Sequence, residues 1–469
     1  MPPHHHTGTT AVTPAVTTRI PAPLAPRRWW ADVAGSAAIL GVVVVVALWL
    51  AGGGLRQLSG TGAVATTTGR LTGLVAADLL LLQVLLMARI PWVERSYGQD
   101  TLARRHRLVG FVSFWLMLAH IGLITVGYAQ QARTGVLAEA WRLLVTYPGM
   151  LLAAAGAALL VAVVVLSVRA ARQRLRYEGW HLLHLYAYLG VGLALPHQLW
   201  SGQDFVSSPT ARAYWWTLYG ATLAAVVGFR VGLPLWRSAY HRIEVAAVVP
   251  EAPGVVSVYL RGRHLDRLPV RAGQFFLWRF LDGPGWTRAH PYTLSAAPRP
   301  DLLRITVKDL GDGSARAATL RPGTKVLVEG PYGAMTAARQ RRPKVLLMAA
   351  GVGITTMRAL LDDLSGDVTL LYRVSRLDDA VFAAELDELA RRRGARVLYL
   401  DGPRPARDSW QPERFAHVSD AAGLRWLVPD VAEHEVYLCG PPQWMDLART
   451  AARGAGVPAE HIRLEAFAW

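Results

Sequence analysis

The sequence predicts a membrane protein of several domains: six transmembrane helices, then an antiparallel β-barrel, then a parallel α/β domain. Three observations support this order. Hydrophobic residues make up 52% of the 469 residues, and before about residue 236 they form helix-length blocks. Beyond that point, short alternating segments are separated by Pro, Gly and Asp, which is typical of a small barrel. From residue 344, a continuous apolar strand, a glycine turn and a helix indicate a Rossmann-like domain.

The chain is strongly basic, with a formal net charge of +17. Nucleic acid is one partner for so basic a protein, but many of the arginines flank apolar runs, which favours a lipid bilayer instead. We therefore expect no nucleic acid partner. The single cysteine, Cys439, excludes disulfides within the chain and any four-cysteine iron–sulfur cluster.

The first apolar run follows Arg27 and Arg28 and is longer than the apolar core of a signal peptide, so we interpret it as a retained span. Arginines are concentrated between the second and third spans and between the fourth and fifth. By the positive-inside rule, both termini of this multi-pass protein of the cell membrane are cytoplasmic. The predicted spans are about 30–51, 72–92, 107–128, 148–168, 179–200 and 214–234. The predicted domains are a disordered tail at 1–26, the membrane domain at 27–236, the barrel at 237–340 and the α/β domain at 341–469.

Two of the predicted spans carry two histidines each, and imidazole is costly in lipid. The third span carries His106 and His120, and the fifth carries His184 and His197, whose separation in sequence is shorter by a single position. At about 1.5 Å per residue, both separations are roughly 20 Å, so two pairs at matching depths are expected. We interpret the four side chains as axial ligands of two haems.

Helical periodicity alone would not select these residues. The shorter separation on the fifth span turns the second histidine well off the face of the first, unless Pro196 kinks that span. His181, one turn before His184, is the rival ligand there. Polar residues scattered among packed helices are the alternative interpretation. Two further ionisable residues lie in the second span: Arg89, which could meet a haem propionate or snorkel to lipid headgroups, and Asp78, which has no assigned role.

The arrangement resembles the ferric reductase and NADPH oxidase superfamily, whose third and fifth helices carry paired histidines with these spacings. The resemblance covers nearly all of the chain from about residue 30. It implies that His106, His120, His184 and His197 bind the iron of two b-type haems. It also implies a transmembrane oxidoreductase that moves electrons from cytoplasmic NADPH through FAD and the haems to an outer acceptor, either oxygen, giving superoxide, or a ferric chelate.

Within the barrel region, the segment HPYTLSAAP at 290–298 resembles the flavin-binding signature of ferredoxin–NADP reductase-like domains. The resemblance assigns Tyr292 and Thr293 to the isoalloxazine, with Ser295 close by. His290, followed by Pro291, stands where soluble relatives usually carry an arginine that binds pyrophosphate.

The segment VKDLGDGSA at 307–315 is the predicted second flavin loop, with an ordinary hairpin as the alternative. Its backbone and hydroxyl donors suit a phosphate. The candidate residues are Lys308, Gly311, Gly313 and Ser314.

A strand, the turn GVGIT and a helix open the last domain. Gly351 and Gly353 allow backbone amides to approach a pyrophosphate at the helix N-terminus, and Thr355 follows them. The family usually has proline at position 356, where this chain has Thr356. At the end of a later strand, Arg373 and Arg376 favour NADPH over NADH because arginine forks suit a 2′-phosphate, with a solvated strand end as the alternative.

Two segments near the C-terminus complete the resemblance. In VYLCGPPQWM, it assigns Cys439 and Gly440 to the junction of nicotinamide and flavin, although an isolated cysteine would be interpreted as a buried structural residue. In the terminal EAFAW, it assigns Glu465 and an aromatic that covers the flavin, Phe467 in preference to Trp469. No obligatory protein partner is expected. The alternative function is a haem-bearing membrane electron donor or redox sensor that serves a protein partner.

Overall fold

The computed structural model describes residues 29–168, 177–206, 208–405 and 408–464. They form two compact units that divide between Leu233 and Pro234. The predicted N-terminal tail, the arginines of the loop between the fourth and fifth spans, and Glu465, Phe467 and Trp469 lie outside the described residues, as does the side chain of His181.

The first unit is helical, as the apolar blocks predict. Its helices are α1 Trp29–Ala51, α2 Ala63–Leu86, α3 Pro91–Tyr97, α4 Gln99–Ala132, α5 Val136–Thr146, α6 Met150–Ser167, α7 Tyr177–Trp200 and α8 Pro209–Ala225. A π-helical stretch, Val226–Gly232, and α9 Leu233–His241 continue the chain. Helix α4 begins well before the predicted third span because its first turns are polar and carry no apolar signal.

Five helical segments in the described part of the chain are long and apolar enough to cross a membrane: Trp29–Ala51, Ala63–Leu86, Thr101–Ala132, Met150–Ser167 and Pro209–His241. The predicted fifth span is present as the helix α7, but it is not among these five. Six spans are therefore not confirmed. Large apolar side chains such as Leu108, Trp115 and Leu151 are exposed on the helices, as expected for surfaces that face lipid.

Two helix pairs form the framework of this unit: α2 packs along α4, and α6 packs along α7. The second pair approaches closely at Gly156 and Gly190, where a Cβ on Gly156 would lie 2.6 Å from the Gly190 carbonyl oxygen. Small residues at such crossings are the usual means of packing helices in lipid.

After α9, the second unit continues with antiparallel strands in the region of the predicted barrel. They are β1 Glu244–Ala252, β2 Val255–Arg261, β3 Phe275–Phe280, β4 His290–Thr293, β5 Leu302–Lys308 and β6 Val326–Tyr332. The strands form two three-stranded sheets, ordered β1-β2-β5 and β4-β3-β6. Isolated bridges join Glu244 to Lys325 and Leu294 to Ile305, so both sheets enclose one core, which includes Phe276, Trp278 and Leu303.

The α/β domain follows, with a five-stranded parallel sheet ordered β11-β10-β7-β8-β9. Its strands are β7 Lys344–Ala350, β8 Asp367–Arg373, β9 Arg396–Leu400, β10 Glu435–Cys439 and β11 Ile462–Leu464. The helices are α10 Ile354–Asp363, α11 Ala383–Arg393, α12 Asp420–Leu427 and α13 Pro442–Gly454. The chain leaves β7 toward β8 but returns to the other side of β7 as β10. The strand order therefore reverses between β7 and β10, which is where doubly wound sheets bind ligands.

Candidate functional site

The four predicted histidine ligands lie on two helices, α4 and α7, and the structure brings one cross-helix pair into contact. The ring centres of His106 and His184 are 5.9 Å apart, with the ring planes at 68°. Two imidazoles that bind one metal from opposite sides at bonds of about 2 Å have ring centres roughly 6 Å apart. The other two predicted ligands, His120 and His197, lie on the same two helices, α4 and α7. The geometry of the His106–His184 pair fits one metal held between two imidazoles.

Every one of these histidines uses its Nδ1 atom within the protein. His106 Nδ1 lies 3.1 Å from the Gln83 carbonyl oxygen, and His120 Nδ1 lies 2.8 Å from that of Gly69. Both carbonyls belong to α2, and their separation in sequence equals that of the two histidines. A partner at Nδ1 fixes the ring and directs Nε2 toward a metal.

The histidines of α7 have different partners. His184 Nδ1 lies 3.3 Å from the hydroxyl oxygen of Ser167 at the end of α6. His197 Nδ1 lies 2.5 Å from the carbonyl oxygen of Ala194 in its own helix. Among the described residues, no group of three or more His, Cys, Asp or Glu side chains could hold a metal ion.

Gly73 on α2 makes room for His120. A Cβ at position 73 would collide with the His120 imidazole ring, including its Nδ1 atom. Only glycine therefore lets α2 approach closely enough for the Gly69 carbonyl to hold the ring. The sequence offered no signal for this role, because a glycine in an apolar helix is common in membrane proteins.

The two ionisable residues singled out in the second span have partners inside the helical unit. The Tyr214 hydroxyl donates to the buried Asp78 carboxylate at 2.7 Å and also lies 3.2 Å from the Gly41 carbonyl oxygen. Asp78 therefore links α2 to α8 and α1. Arg89 donates to Glu94 at 3.1 Å and to Gln99 at 2.6 Å.

In the second unit, both predicted flavin segments line a single cleft. The His290 and Tyr292 rings stack with centres 5.9 Å apart and planes at 7°. The GDGS turn faces them, since a Cβ on Gly313 would lie 2.9 Å from His290 Cε1. Burial raises the pKa of Tyr292 to about 12, which keeps its phenol protonated and able to donate. The cleft is lined by Phe280, Asp282, Gly285, Arg288, His290, Tyr292, Gly313, Arg316, Ala317 and Leu320.

Thr293 and Ser295 differ in what their hydroxyl groups do. Thr293 is 6% exposed, and its buried Oγ1 has no hydrogen-bond partner among the described residues. Such an atom normally has a partner, so it suits a polar ligand. Ser295 is fully buried and its hydroxyl is engaged by Thr306 at 2.7 Å and by Arg304 Nε at 3.2 Å. Its contacts are therefore structural ones inside the β domain.

The predicted second loop is a tight turn rather than an open hairpin. Residues Asp312–Ala315 form one helical turn, and the Ser314 hydroxyl accepts from Leu310 N at 2.8 Å while donating to Gly311 O at 2.9 Å. Ser314 thus holds the loop closed, and Gly313 is its point of closest approach to His290. Lys308 is exposed at the end of β5.

Sequence reasoning missed two arginines in this cleft. Arg316 pairs with Asp282 at 2.8 Å. The Arg288 guanidinium has no carboxylate partner in the part of the chain that the structure describes. It lies two residues before His290, which is the first residue of β4. Its position just before the HPYT segment is the feature of the sequence that could have marked Arg288 as a residue of the cleft.

The predicted nucleotide loop meets the cysteine segment at the reversal of strand order. Gly353 packs so closely on the end of β10 that a Cβ there would collide with the Cys439 carbonyl. Gly351 adopts φ +55°, and Thr355 closes the first turn of α10 by donating to Val352 O at 2.9 Å. Cys439 is fully buried. The GVG turn and the CGPP segment are therefore adjacent.

The two predicted 2′-phosphate arginines are in unlike surroundings. Arg373 is buried and donates to the Leu400 and Pro403 carbonyls at 3.2 and 2.9 Å, which ties the ends of β8 and β9 together. Arg376 is well exposed and lies 3.4 Å from Asp378. Of the two, Arg376 is the one that can turn toward an incoming anion.

Both units are similar to known protein families. Residues 72–195 match the family "Ferric reductase like transmembrane component", and residues 347–450 match "Oxidoreductase NAD-binding domain". The chain is 32% identical over 238 residues to the ferredoxin reductase component of 3-ketosteroid-9-alpha-monooxygenase from Mycolicibacterium smegmatis, covering 48% of this chain and 65% of that protein. It is 31% identical over 254 residues to the reductase subunit of stachydrine N-demethylase from Rhizobium meliloti, covering 50% and 68%.

The chain thus spans about two thirds of the length of these curated relatives. Among solved structures, the FAD/NAD-binding domain of a nitric oxide dioxygenase from Vibrio cholerae is 27% identical, with 48% of this chain and 98% of that one covered and a TM-score of 0.40.

Proposed function

Because this chain belongs to the family of ferric reductase-like transmembrane proteins that carry a ferredoxin–NADP reductase-like module, we propose that it moves electrons from NADPH through FAD and two b-type haems to an acceptor on the outer face of the cell membrane. The observation that carries the proposal is the His106–His184 pair, at 5.9 Å between ring centres, on helices of the matched segment. NADPH, FAD, and oxygen or a ferric chelate are its small-molecule partners.

The four histidines would hold the haem irons. His106 pairs with His184, and His120 pairs with His197. The Gln83 and Gly69 carbonyls and the Ser167 hydroxyl orient three of the rings, so that Nε2 is presented to the metal. With both termini in the cytoplasm, the first pair is the inner one.

The cleft of the β domain would hold FAD. The Thr293 hydroxyl, which lacks a partner among the described residues, supplies a contact to the flavin, and the Tyr292 ring lines the cleft. His290 stands where soluble relatives usually carry an arginine that binds the diphosphate. Arg288, which lines the same cleft, would supply that positive charge instead. FAD accepts a hydride and releases electrons singly, which is the cofactor's own chemistry.

The α/β domain would bind NADPH at the GVG turn, with the diphosphate at the N-terminus of α10. Arg376 would contact the 2′-phosphate. Cys439 and Gly440 at the end of β10 would line the nicotinamide site. Glu465 and Phe467 would have the roles beside the flavin that the family resemblance implies.

A reductase that serves a protein acceptor is the second candidate. It is favoured by the relatives above, which are named as reductase components of oxygenase systems.

One experiment tests both candidates. The purified protein, loaded with FAD, is mixed with NADPH without oxygen, and its spectrum is recorded. A low-spin bis-histidine haem spectrum that NADPH reduces supports the proposal, while a folded protein without haem contradicts it. Oxygen or ferric chelate is then added, with and without superoxide dismutase. Reoxidation by neither acceptor favours a protein acceptor.

A further inference from the structure

Three charged side chains meet inside the second unit, where the β domain contacts the α/β domain. Arg304 comes from β5, Arg358 from α10 and Glu385 from α11. Arg304 Nη1 and Nη2 lie 3.0 and 3.1 Å from the two Glu385 carboxylate oxygens, and Arg358 Nη2 lies 2.5 Å from one of them. The two arginine side chains are only 8% and 9% exposed. This arginine–glutamate–arginine bridge is mostly buried.

On the β-domain side, Arg304 also holds the strand that carries the flavin signature. Its Nε donates to the Ser295 hydroxyl at 3.2 Å and its Nη2 to the Ser295 carbonyl at 2.8 Å. Ser295 is two residues beyond Thr293, whose hydroxyl we assign to the flavin. The Phe382 ring, just before α11, covers the Arg304 guanidinium at 4.7 Å. Arg304 is therefore fixed on all sides.

On the α/β side, Arg358 is on the helix that begins at the GVG turn, little more than one turn after Gly353. Its Nε and Nη1 atoms are buried without a hydrogen-bond partner among the described residues, although Asp362 lies 3.6 Å from Nη1. Glu385 is thus the principal partner of a poorly solvated cation. Because α10 directly follows the GVG turn, its anchoring at Arg358 also holds that turn.

The electrostatic balance of the bridge depends on Glu385. Burial opposes ionisation, but Arg358 and Arg304 together hold the pKa of the Glu385 carboxyl below its ordinary value. Burial lowers the pKa of Arg358, and Glu385 counteracts this. Without the carboxylate, two buried guanidinium groups would face each other, and removing one partner of a buried ionic group is costly.

We propose that the Arg304–Glu385–Arg358 bridge positions the nicotinamide-binding domain on the flavin-binding domain for hydride transfer. All three are positioning residues, since none lies at the reacting atoms. The inference rests on the proposed binding of FAD and NADPH by these two domains. The bridge connects Thr293 to the GVG turn through Ser295, Arg304, Glu385 and Arg358, so it sets the distance between the two sites.

The test uses the full-length protein loaded with FAD, and follows the bleaching of oxidised flavin after rapid mixing with NADPH without oxygen. Glu385→Gln removes the charge, and Glu385→Asp keeps it. Glu244→Gln is the matched control, because Glu244 pairs with Arg261 at 2.7 Å on the surface of the β domain. For each protein, the limiting rate at saturating NADPH, the NADPH concentration for half that rate, and the FAD content are recorded.

We expect Glu385→Gln to lower the limiting rate by about tenfold to a hundredfold, as for reacting groups misplaced by about 1 Å, with FAD content and half-saturation unchanged. Glu385→Asp should recover most of the rate, and Glu244→Gln should match wild type. A Glu385→Gln rate within about twofold of wild type overturns the inference, as does a rate loss matched by loss of FAD. If NADPH fails to reduce the wild-type flavin, the proposed function itself is wrong.

Discussion

The proposed sites of the two units are made of different structural elements, namely single side chains on helices in the first unit and turns at strand ends in the second. In the helical unit, each proposed iron ligand is one imidazole on one helix, and its partner is a single carbonyl or hydroxyl, as with His120 and Gly69. In the second unit, turns at strand ends supply most of the site, as with the GVG and GDGS segments. Loss of one ligand should therefore abolish a site in the helices, whereas one substitution should only weaken a site in the second unit.

The largest effect expected from this contrast follows His184→Ala. The substitution removes one of two axial ligands and leaves nothing in its place, so the haem of the inner pair should be lost. Haem content per polypeptide, measured against FAD content, should fall by about half or more.

His181→Ala is the control for that substitution, since His181 lies one turn away on the same helix. It should retain both haems. Loss of a haem with His181→Ala but not with His184→Ala would mean that the ligand assignment on α7 is wrong.

Gly73→Ala should weaken haem binding by the His120–His197 pair without changing a ligand, because Gly73 packs against the His120 ring. The added methyl group would occupy the space of the His120 ring and separate it from the Gly69 carbonyl. Changes to groups that orient a ligand typically cost about tenfold to a hundredfold in metal affinity. One haem should therefore become easy to extract while the His106–His184 haem stays bound, as measured by haem retention during detergent exchange.

The matched control is Gly122→Ala on α4, where a Cβ would meet no atom within 4 Å. It should behave as wild type. Equal haem loss in both variants would show that the helical unit responds to glycine substitution in general, and the contrast between ligand sites and turn sites would fail.

How much the sequence predicted also differs between the units. The sequence predicted the order of helical, antiparallel and parallel regions. It also marked four short segments as turns or strand ends, because each turn needs particular residues in consecutive positions: HPYT, GDGS, GVG and CGPP. The convergence of His290 with Gly313, and of Gly353 with Cys439, follows from where strands end in such sheets.

Contacts between distant helices could not be predicted in this way. Asp78 meets Tyr214 from far along the chain, and no local pattern marks either one as the partner of the other. The same is true of Gln83 and His106, whose contact depends on how α2 packs along α4. Periodicity shows which face of a helix is apolar, but it does not show which neighbour covers that face.

Arg288→Gln should produce a weakening rather than a loss. One charge-assisted hydrogen bond to a phosphate contributes about 1.5–3 kcal/mol, so FAD should bind about tenfold to a hundredfold more weakly while the protein stays folded. The dissociation constant can be measured by the recovery of flavin fluorescence quenching in apoprotein titrated with FAD.

Arg263→Gln removes the same charge from an exposed position of the β domain and is the control. Its FAD affinity should equal that of wild type. Equal weakening in both variants would point to the overall charge of the protein rather than to a contact in the cleft. Complete loss of FAD with Arg288→Gln would contradict the expectation that one substitution only weakens a site in the second unit.

The smallest expected effect concerns the pH dependence of stability in the second unit. Arg358 and Arg304 outweigh burial and hold the pKa of Glu385 below its ordinary value of 4.5. An acid with a lowered pKa stabilises the folded state above that ordinary value, and the contribution disappears as the pH falls through the lowered pKa. Glu385→Gln lacks this contribution at every pH. The Tm difference between wild type and Glu385→Gln, measured through the release of FAD on heating, should therefore be largest near neutral pH and should shrink below about pH 4.5.

Glu244→Gln is the control and should show no comparable Tm difference at neutral pH, because surface ion pairs contribute little. A Tm difference that stays constant down to acid pH would mean that the carboxylate charge is not what joins the two domains.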